Sequence, residues 1–405
     1  MNIAISIFGL GFLILVHEAG HFFVARAVGM NPRKFYIGFP PAVAKHTRNG
    51  IEYGIGAIPL GGYVKIPGMH RPAAGDLDIH FGRAVAEEPS LLGAVEELRR
   101  RLQASDHVGA RAAIAELRTQ IERVRLSHAA AKAAERGLVD IDDALGPDAY
   151  WRARTWKRVA VIFAGPGANL LLAVALFAGL FLTTTGGFRL GFVLGASEQA
   201  TATSLVQEVV ADSPAASAGL QAGDRIVAID GRAVASGEIR NTIAASEGAP
   251  LRLTVQRDGE EVALRPVRPE HTGDYGPAES VWEAVRVTGL VTKEIGATVG
   301  RLVTGSGRDE IASPVGIVQG SSQAAEQGAD NYLWVLGLIS LSLALLNLLP
   351  LLPLDGGHIL FSLVEGVRGR AVPREVYERV SVVGIAVVLL LFFVGLSNDI
   401  GRLGS

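Results

Sequence analysis

The chain contains no cysteine. That absence excludes disulfides, a thiolate zinc site and a cysteine nucleophile, and it leaves the compartment open. An excess of charge of either sign is also missing: 38 Lys and Arg stand against 40 Asp and Glu, a formal net charge of −2. No global basic field exists to attract nucleic acid, so no nucleic-acid partner is expected. No Lys or Arg precedes the first apolar run, and no small-x-small cleavage site follows it. The run therefore reads as a retained span and not as a signal peptide. Apolar side chains are abundant, at 49% of 405 residues, with a mean hydropathy of +0.32. This level fits a polytopic membrane protein with a soluble part, and the length admits two or more domains.

Four stretches have the length and apolarity of membrane helices: about 2–28, 159–183, 332–352 and 380–396. Basic residues mark one side. Arg26, Arg33 and Lys34 follow the first; Arg152, Arg154, Lys157 and Arg158 precede the second; Arg368, Arg370, Arg374 and Arg379 separate the third from the fourth. The positive-inside rule puts these loops in the cytoplasm and the 185–330 region outside.

The first span carries Val16-His17-Glu18-Ala19-Gly20-His21. Positions i and i+4 of a helix share a face, so His17 and His21 point the same way and suit one metal ion. Glu18 lies beside the first histidine, where a carboxylate can take a proton from metal-activated water; this is a zinc-hydrolase pattern. Ionisable groups at membrane depth are costly and usually functional. Near the end of the third span, Asn347-Leu348-Leu349-Pro350-Leu351-Leu352-Pro353-Leu354-Asp355-Gly356-Gly357 breaks a helix twice and delivers one carboxylate. Broken backbone at that depth is tolerated only inside protein or along a cavity. The charge rule places Asp355 at the same level as the histidines, and a catalytic zinc takes three protein ligands. Asp355 is the natural third; His358 is the one rival. The other histidines read as solvated. Asn169, in Gly165-Pro166-Gly167-Ala168-Asn169, is a polar group within the second span. It suits an interhelical hydrogen bond or a catalytic role.

The remaining segments differ in composition. Residues 51–66 flank a Pro and a Gly-Gly pair with β-forming residues, which predicts a small hairpin close to the metal helix. An edge there can hold an extended peptide. In 84–146, heptad-like stripes at Leu91, Val95, Leu98 and Leu102 and at Ile114, Leu117, Ile121 and Val124 predict an antiparallel helical hairpin. Residues 200–270 combine Ser213-Pro214, Gly219, Gly223-Asp224 and Asp230-Gly231 with a hairpin signal at Asp258-Gly259. This order resembles the core of a PDZ domain. Residues 280–304 read as an amphipathic interfacial helix.

HEAGH in the first span, Gly-Pro-Gly-Ala-Asn at 165–169, a PDZ-like insert and the Pro-broken segment at 347–357 occur in this order. Together they resemble the site-2 protease family of intramembrane zinc metalloproteases, in particular the bacterial PDZ-containing regulators of anti-sigma-factor cleavage. The resemblance implies a Zn2+ cofactor held by His17, His21 and Asp355, with Glu18 as catalytic base. Asn347 and Asn169 match asparagines thought to position substrate or stabilise the reacting carbonyl. It implies single-span membrane proteins as substrates, a peptide or protein ligand for the PDZ-like module, and residence in the bacterial inner membrane with the active site near the cytoplasmic side.

The expected fold is a polytopic α-helical membrane protein of about four transmembrane helices. It has an inserted extracytoplasmic α+β PDZ-like domain and a cytoplasmic helical-hairpin insertion. Its parts are expected at 1–83 (metal helix and hairpin), 84–147 (helical insertion), 148–190 (second span), 191–275 (PDZ-like), 276–331 (amphipathic helix and linker) and 332–405 (last two spans). Two other classes fit some of these features: a non-hydrolytic peptide receptor or scaffold with a structural metal, and a metal transporter. A transporter would spread its polar groups along several spans; here they cluster at one depth.

Overall fold

The computed structural model describes residues 2–183, 188–190, 192–196, 202–210, 213–271, 275–303, 311 and 313–403. Residues 184–187 and 191, at the expected junction of the second span with the following module, lie outside the described residues. The chain divides into two compact units, 1–176 with 286–405, and 177–285.

The first unit begins with α1 (Asn2–Ala27), followed by β1 (Lys34–Arg48) and β2 (Ile51–Lys65). The turn between the strands is Asn49-Gly50, both with positive φ (51° and 77°), as a two-residue hairpin of matching twist requires. Both strands bend. Residues 34–37 pair with 52–55 on one side and with 62–65 on the other, while 42–48 pair with 51–56. The hairpin is therefore larger than the expected 51–66 and starts at Lys34. Pro40 and Pro41 cannot donate to a ladder. In the structure those prolines sit where β1 bends between its two pairing segments.

Four helices come next: α2 (Ala74–Glu87), α3 (Leu92–Gln103), α4 (His107–Arg123) and α5 (His128–Leu145). The expected two-helix hairpin is α3 and α4, turned at Ser105; the Asp106 carboxylate caps α4 by accepting from the Gly109 N–H. The helical-hairpin insertion of 84–147 is thus corrected to four helices starting at Ala74. All four share one core, built on Leu77, Phe81, Leu98, Leu117, Leu138 and Ile141. α5 escaped the pattern reading because it buries small residues (Ala130, Ala134, Gly137) along much of its face. Such residues give a weak apolar stripe but allow close packing.

α6 (Thr155–Thr183) is the second long apolar helix and runs through Pro166. The second unit includes β3 (Phe188–Arg189), β4 (Phe192–Ala196), β5 (Ala202–Val209), α7 (Pro214–Ala218), β6 (Arg225–Ile229), β7 (Arg232–Ala233), α8 (Ile239–Ala244), β8 (Leu253–Arg257), β9 (Glu260–Ala263) and β10 (Glu270–His271). Its main sheet runs β4-β5-β6-β8-β9, all antiparallel, and β7 pairs with β6. Leu220, Ile226, Ile229, Leu253 and Val255 fill its core. Asp224, 1% exposed, receives two hydrogen bonds of 2.7 Å from Arg257 and one of 2.9 Å from the Gln221 N–H.

α9 (Pro277–Val303) follows, then α10 (Pro314–Gln327), α11 (Ala329–Asn347), α12 (Asp355–Arg368) and α13 (Arg374–Leu403). Among the described residues, four helices are long and apolar enough to cross a membrane: Ile3–Ala27, Thr155–Thr183, Ala329–Asn347 and Glu375–Gly401. These fall on the four expected spans. The third stops at Asn347, ahead of the two prolines, and the chain re-enters a helix at Asp355.

The Asp224–Arg257 pair generates a pH prediction. Hydrogen bonds from Arg257 hold the Asp224 carboxyl below its ordinary value, against an opposing contribution from burial. A depressed folded-state pKa means stability that is complete above the unfolded value, about 3.9. It is lost as pH falls from there through the folded value. Hydrogen exchange over 202–264 in the full chain should therefore accelerate below about pH 4. At pH 7, Asp224→Ala should cost this unit about 2–3 kcal/mol and flatten that acid response.

Candidate metal centre

His17 and His21 sit one turn apart on α1, as their spacing requires. Their Nε2 atoms are 3.2 Å apart. Asp355, the first residue of α12, brings Oδ2 to 3.2 Å from His17 Nε2 and 3.4 Å from His21 Nε2. These three residues are the one group of three or more potential ligands brought together among the described residues. His358, the rival ligand, is not in that group.

The donor set fits zinc. A tetrahedral ion with bonds of 2.0–2.1 Å sets its ligands about 3.3–3.4 Å apart along each edge; the three edges here are 3.2, 3.2 and 3.4 Å. Asp355 Oδ2 is buried and has no hydrogen-bond partner, which is costly unless a cation satisfies it. The set of two imidazoles and one carboxylate leaves a fourth position for water, as catalytic zinc sites do.

Helix α6 shapes this group from behind. His21 Nδ1 donates to the Val161 carbonyl at 2.8 Å, which leaves its Nε2 lone pair for a metal. Four residues on, a Cβ added to Gly165 would lie 2.3 Å from His21 Nε2 and 2.8 Å from His17 Nε2. Four residues further, Asn169 is fully buried, with Nδ2 3.5 Å from His17 Nδ1. The helices touch through bare backbone: a Cβ on Gly20 would meet the Ala164 carbonyl at 2.2 Å.

Glu18 is 9% exposed. A Cβ at Gly62 would lie 2.8 Å from its Cγ. The 62–65 segment of β2 is thus laid against the would-be base. Asn347 is placed differently. It ends α11, and its Nδ2 donates to the Leu343 carbonyl at 3.0 Å, one turn back on its own helix. No hydrogen bond joins it to the His–Asp group among the described residues.

Several contributors escaped the sequence. Arg158 and Glu365 form a largely buried ion pair at 2.5 Å that ties α6 to α12; Glu365 also accepts from the Val372 N–H at 2.9 Å. Tyr150 Oη and Ser362 Oγ, 3.1 Å apart, add a second tie to α12. Val161 supplies only a carbonyl, which no motif can reveal. Gly165 carried a signal in its spacing, four residues before Asn169, but its target lay on another helix.

With this geometry in hand, the comparison with known proteins is decisive. The model of Peptidase family M50 matches residues 5–391. The chain belongs to this family. Zinc metalloprotease RasP of Geobacillus kaustophilus is 30% identical over 428 residues, covering 97% of this chain and 96% of that protein. Regulator of sigma-E protease RseP of Salmonella typhimurium is 31% identical over 453 residues, covering 99% of each. The chain is therefore a metalloendopeptidase of the site-2 protease type with zinc as its cofactor. It is a membrane protein with four candidate spans.

Gly165→Ala is expected to force the two imidazoles apart and weaken zinc retention by at least about tenfold. Titration of the purified protein with a competing chelator measures this. Gly167→Ala, whose added Cβ would meet only the Phe163 ring at 3.1 Å or more, should retain zinc like the parent.

Proposed function

We propose that the chain is an intramembrane endopeptidase that cleaves a transmembrane segment of single-span membrane proteins, with zinc held by His17, His21 and Asp355. One observation carries this reading. Two imidazoles and a carboxylate meet at tetrahedral-edge spacing, with Glu18 beside them, on a helix apolar enough to cross a membrane. The substrate class follows from the location, since a bond cut there must itself lie at membrane depth. The relative named as a regulator of sigma-E protease supports a membrane-bound regulator, such as an anti-sigma factor, as the target.

Bound by these three residues, zinc would supply Lewis acidity toward the scissile carbonyl and activate the attacking water. Glu18 accepts the proton of that water and passes it to the leaving amine. The backbone at Gly62 closes against the Glu18 side chain and limits where its carboxylate can lie. A helical substrate hides its carbonyls in its own hydrogen bonds and must be held extended to be cut. Segment 62–65 pairs with 34–37, and its other edge is the proposed place for a substrate strand to add. Asn347 is a candidate donor to the developing oxyanion, reached by releasing its bond to Leu343.

Residues 191–275 are proposed to form a PDZ-like module. The order helix, glycine turn, strand, Asp-Gly turn and hairpin supports this. The basic flanks of the spans support an outer position for the module and a cytoplasmic-side active site in the bacterial inner membrane. The module would screen substrates by size or by a peptide end, admitting those already trimmed. A receptor or scaffold with a structural metal has no use for Glu18, and the two readings part there.

Glu18→Gln should lower cleavage of a single-span reporter by about 10²- to 10⁴-fold while bound zinc stays at the parental level. Cleavage at the parental rate would sink the mechanism. Asp355→Ala should strip the protein of zinc; retained zinc, with loss in His358→Ala instead, would reassign the third ligand.

A further inference from the structure

One face of α6 carries Val161, Gly165 and Asn169 at successive steps of four residues. The first accepts from His21 Nδ1, the second leaves room for both Nε2 atoms, and the third faces His17 Nδ1. The two histidines are thus treated alike, each with its Nδ1 turned to a group on the same helix. Their chemical states nevertheless differ as the amide of Asn169 stands. Its Nδ2 points at His17 Nδ1, and its Oδ1 is buried with no hydrogen-bond partner.

An NH₂ group facing Nδ1 makes that nitrogen an acceptor and puts the ring proton on Nε2. Protonated Nε2 cannot bind a metal. It can only donate, to His21 Nε2 or to Asp355 Oδ2, each 3.2 Å away. Turning the amide by 180° exchanges Oδ1 and Nδ2 within nearly the same volume. Oδ1 then accepts from His17 Nδ1–H, and Nε2 becomes a free lone pair aimed at the same point as His21 Nε2 and Asp355 Oδ2. One amide atom is without a partner in either orientation, so the zinc site decides between them. The Ser340 hydroxyl donates to the Asn169 backbone carbonyl at 2.8 Å and fixes the backbone from which the amide turns.

We infer that Asn169 is a positioning residue: its side-chain oxygen holds His17 in the Nδ1–H tautomer that binds zinc, as the Val161 carbonyl does for His21. This rests on the zinc-ligand reading of His17, His21 and Asp355. It gives Asn169 a different task from the carbonyl-stabilising role that the family resemblance implies. An oxyanion donor must touch the substrate; the Asn169 side chain has no exposed surface and lies behind a ligand. Metal-bound histidines take such a partner on the second nitrogen, and its loss weakens metal binding by 10- to 100-fold in other sites.

The test compares zinc affinity, by chelator competition on the purified full chain, for Asn169→Leu, Asn169→Asp and His17→Ala. Leucine keeps the volume and removes the acceptor; aspartate keeps the acceptor and removes the donor. Asn169→Leu should bind zinc about 10- to 100-fold more weakly, and Asn169→Asp should stay within about threefold of the parent. At saturating zinc, cleavage by Asn169→Leu should return to within about tenfold of the parent, which also shows that the variant folds. An oxyanion donor would give the reverse: parental zinc affinity for both variants and a loss of about 10²- to 10³-fold in kcat that added zinc does not restore. Parental affinity in Asn169→Leu, or an equal loss in Asn169→Asp, overturns the inference. Parental affinity in His17→Ala would instead overturn the ligand assignment beneath it.

Discussion

The close approach of α1 and α6 is the constraint on which the rest of the site depends. Two helices in a membrane gain little from the hydrophobic effect, because lipid is as apolar as their side chains; they associate by packing backbone on backbone. Gly20 supplies a bare patch on α1 and Gly165 one on α6. That contact does more than join two spans. It brings the carbonyl of Val161 and the amide of Asn169 within reach of the imidazoles, and it leaves the Nε2 atoms the only room they have. A bulkier seam would still make a membrane protein, but its histidines would lack both space and orientation.

The candidate third ligand depends on a different device. Asp355 starts a helix that follows a seven-residue break after α11, and a helix reached through such a break needs external ties. Arg158 supplies one to Glu365, and Tyr150 another to Ser362. Losing one partner of a buried ion pair costs about 3–5 kcal/mol in other proteins, because the second charge is stranded. The pair lies three residues before Val161 on the same helix. α6 therefore orients His21 directly, borders His17, and anchors the helix that presents Asp355. One span serves as the template for a site whose chemical groups belong to two other helices.

What the sequence revealed follows from the range of each signal. The spans were legible because apolar runs of that length have few other fates. The His17–His21 pair was legible because helix periodicity is local. Asp355 was inferred across the chain only because two prolines and a charge rule put it at the same depth. Failures arose where the signal was weak or belonged to another element. The expected hairpin, 51–66, omitted its first strand at 34–48, whose turn is marked in the sequence by Asn49-Gly50. The helical insertion was halved because α5 buries alanine and glycine. The roles of Val161, Gly165 and the Arg158–Glu365 pair were not legible, since their meaning lies in what a distant helix places opposite them.

The separation of cores explains why the insertion and the site can differ so much in character. Helices α2–α5 pack around Leu98, Leu117 and their neighbours, whereas the segment joining α1 to α6 packs around Ala25, Met30, Ile66, Tyr150, Val161 and Ile162. The two clusters share no buried residue. Links between them include the ion pairs of Arg33 with Asp143 and Asp148 and of Lys65 with Asp140, and the Trp151 indole, which donates to the Ala144 carbonyl and meets the His107 ring. The 62–65 segment bears on Glu18 at one end and is tied through Lys65 to α5 at the other, so the strand that borders the candidate base is also one that the insertion holds.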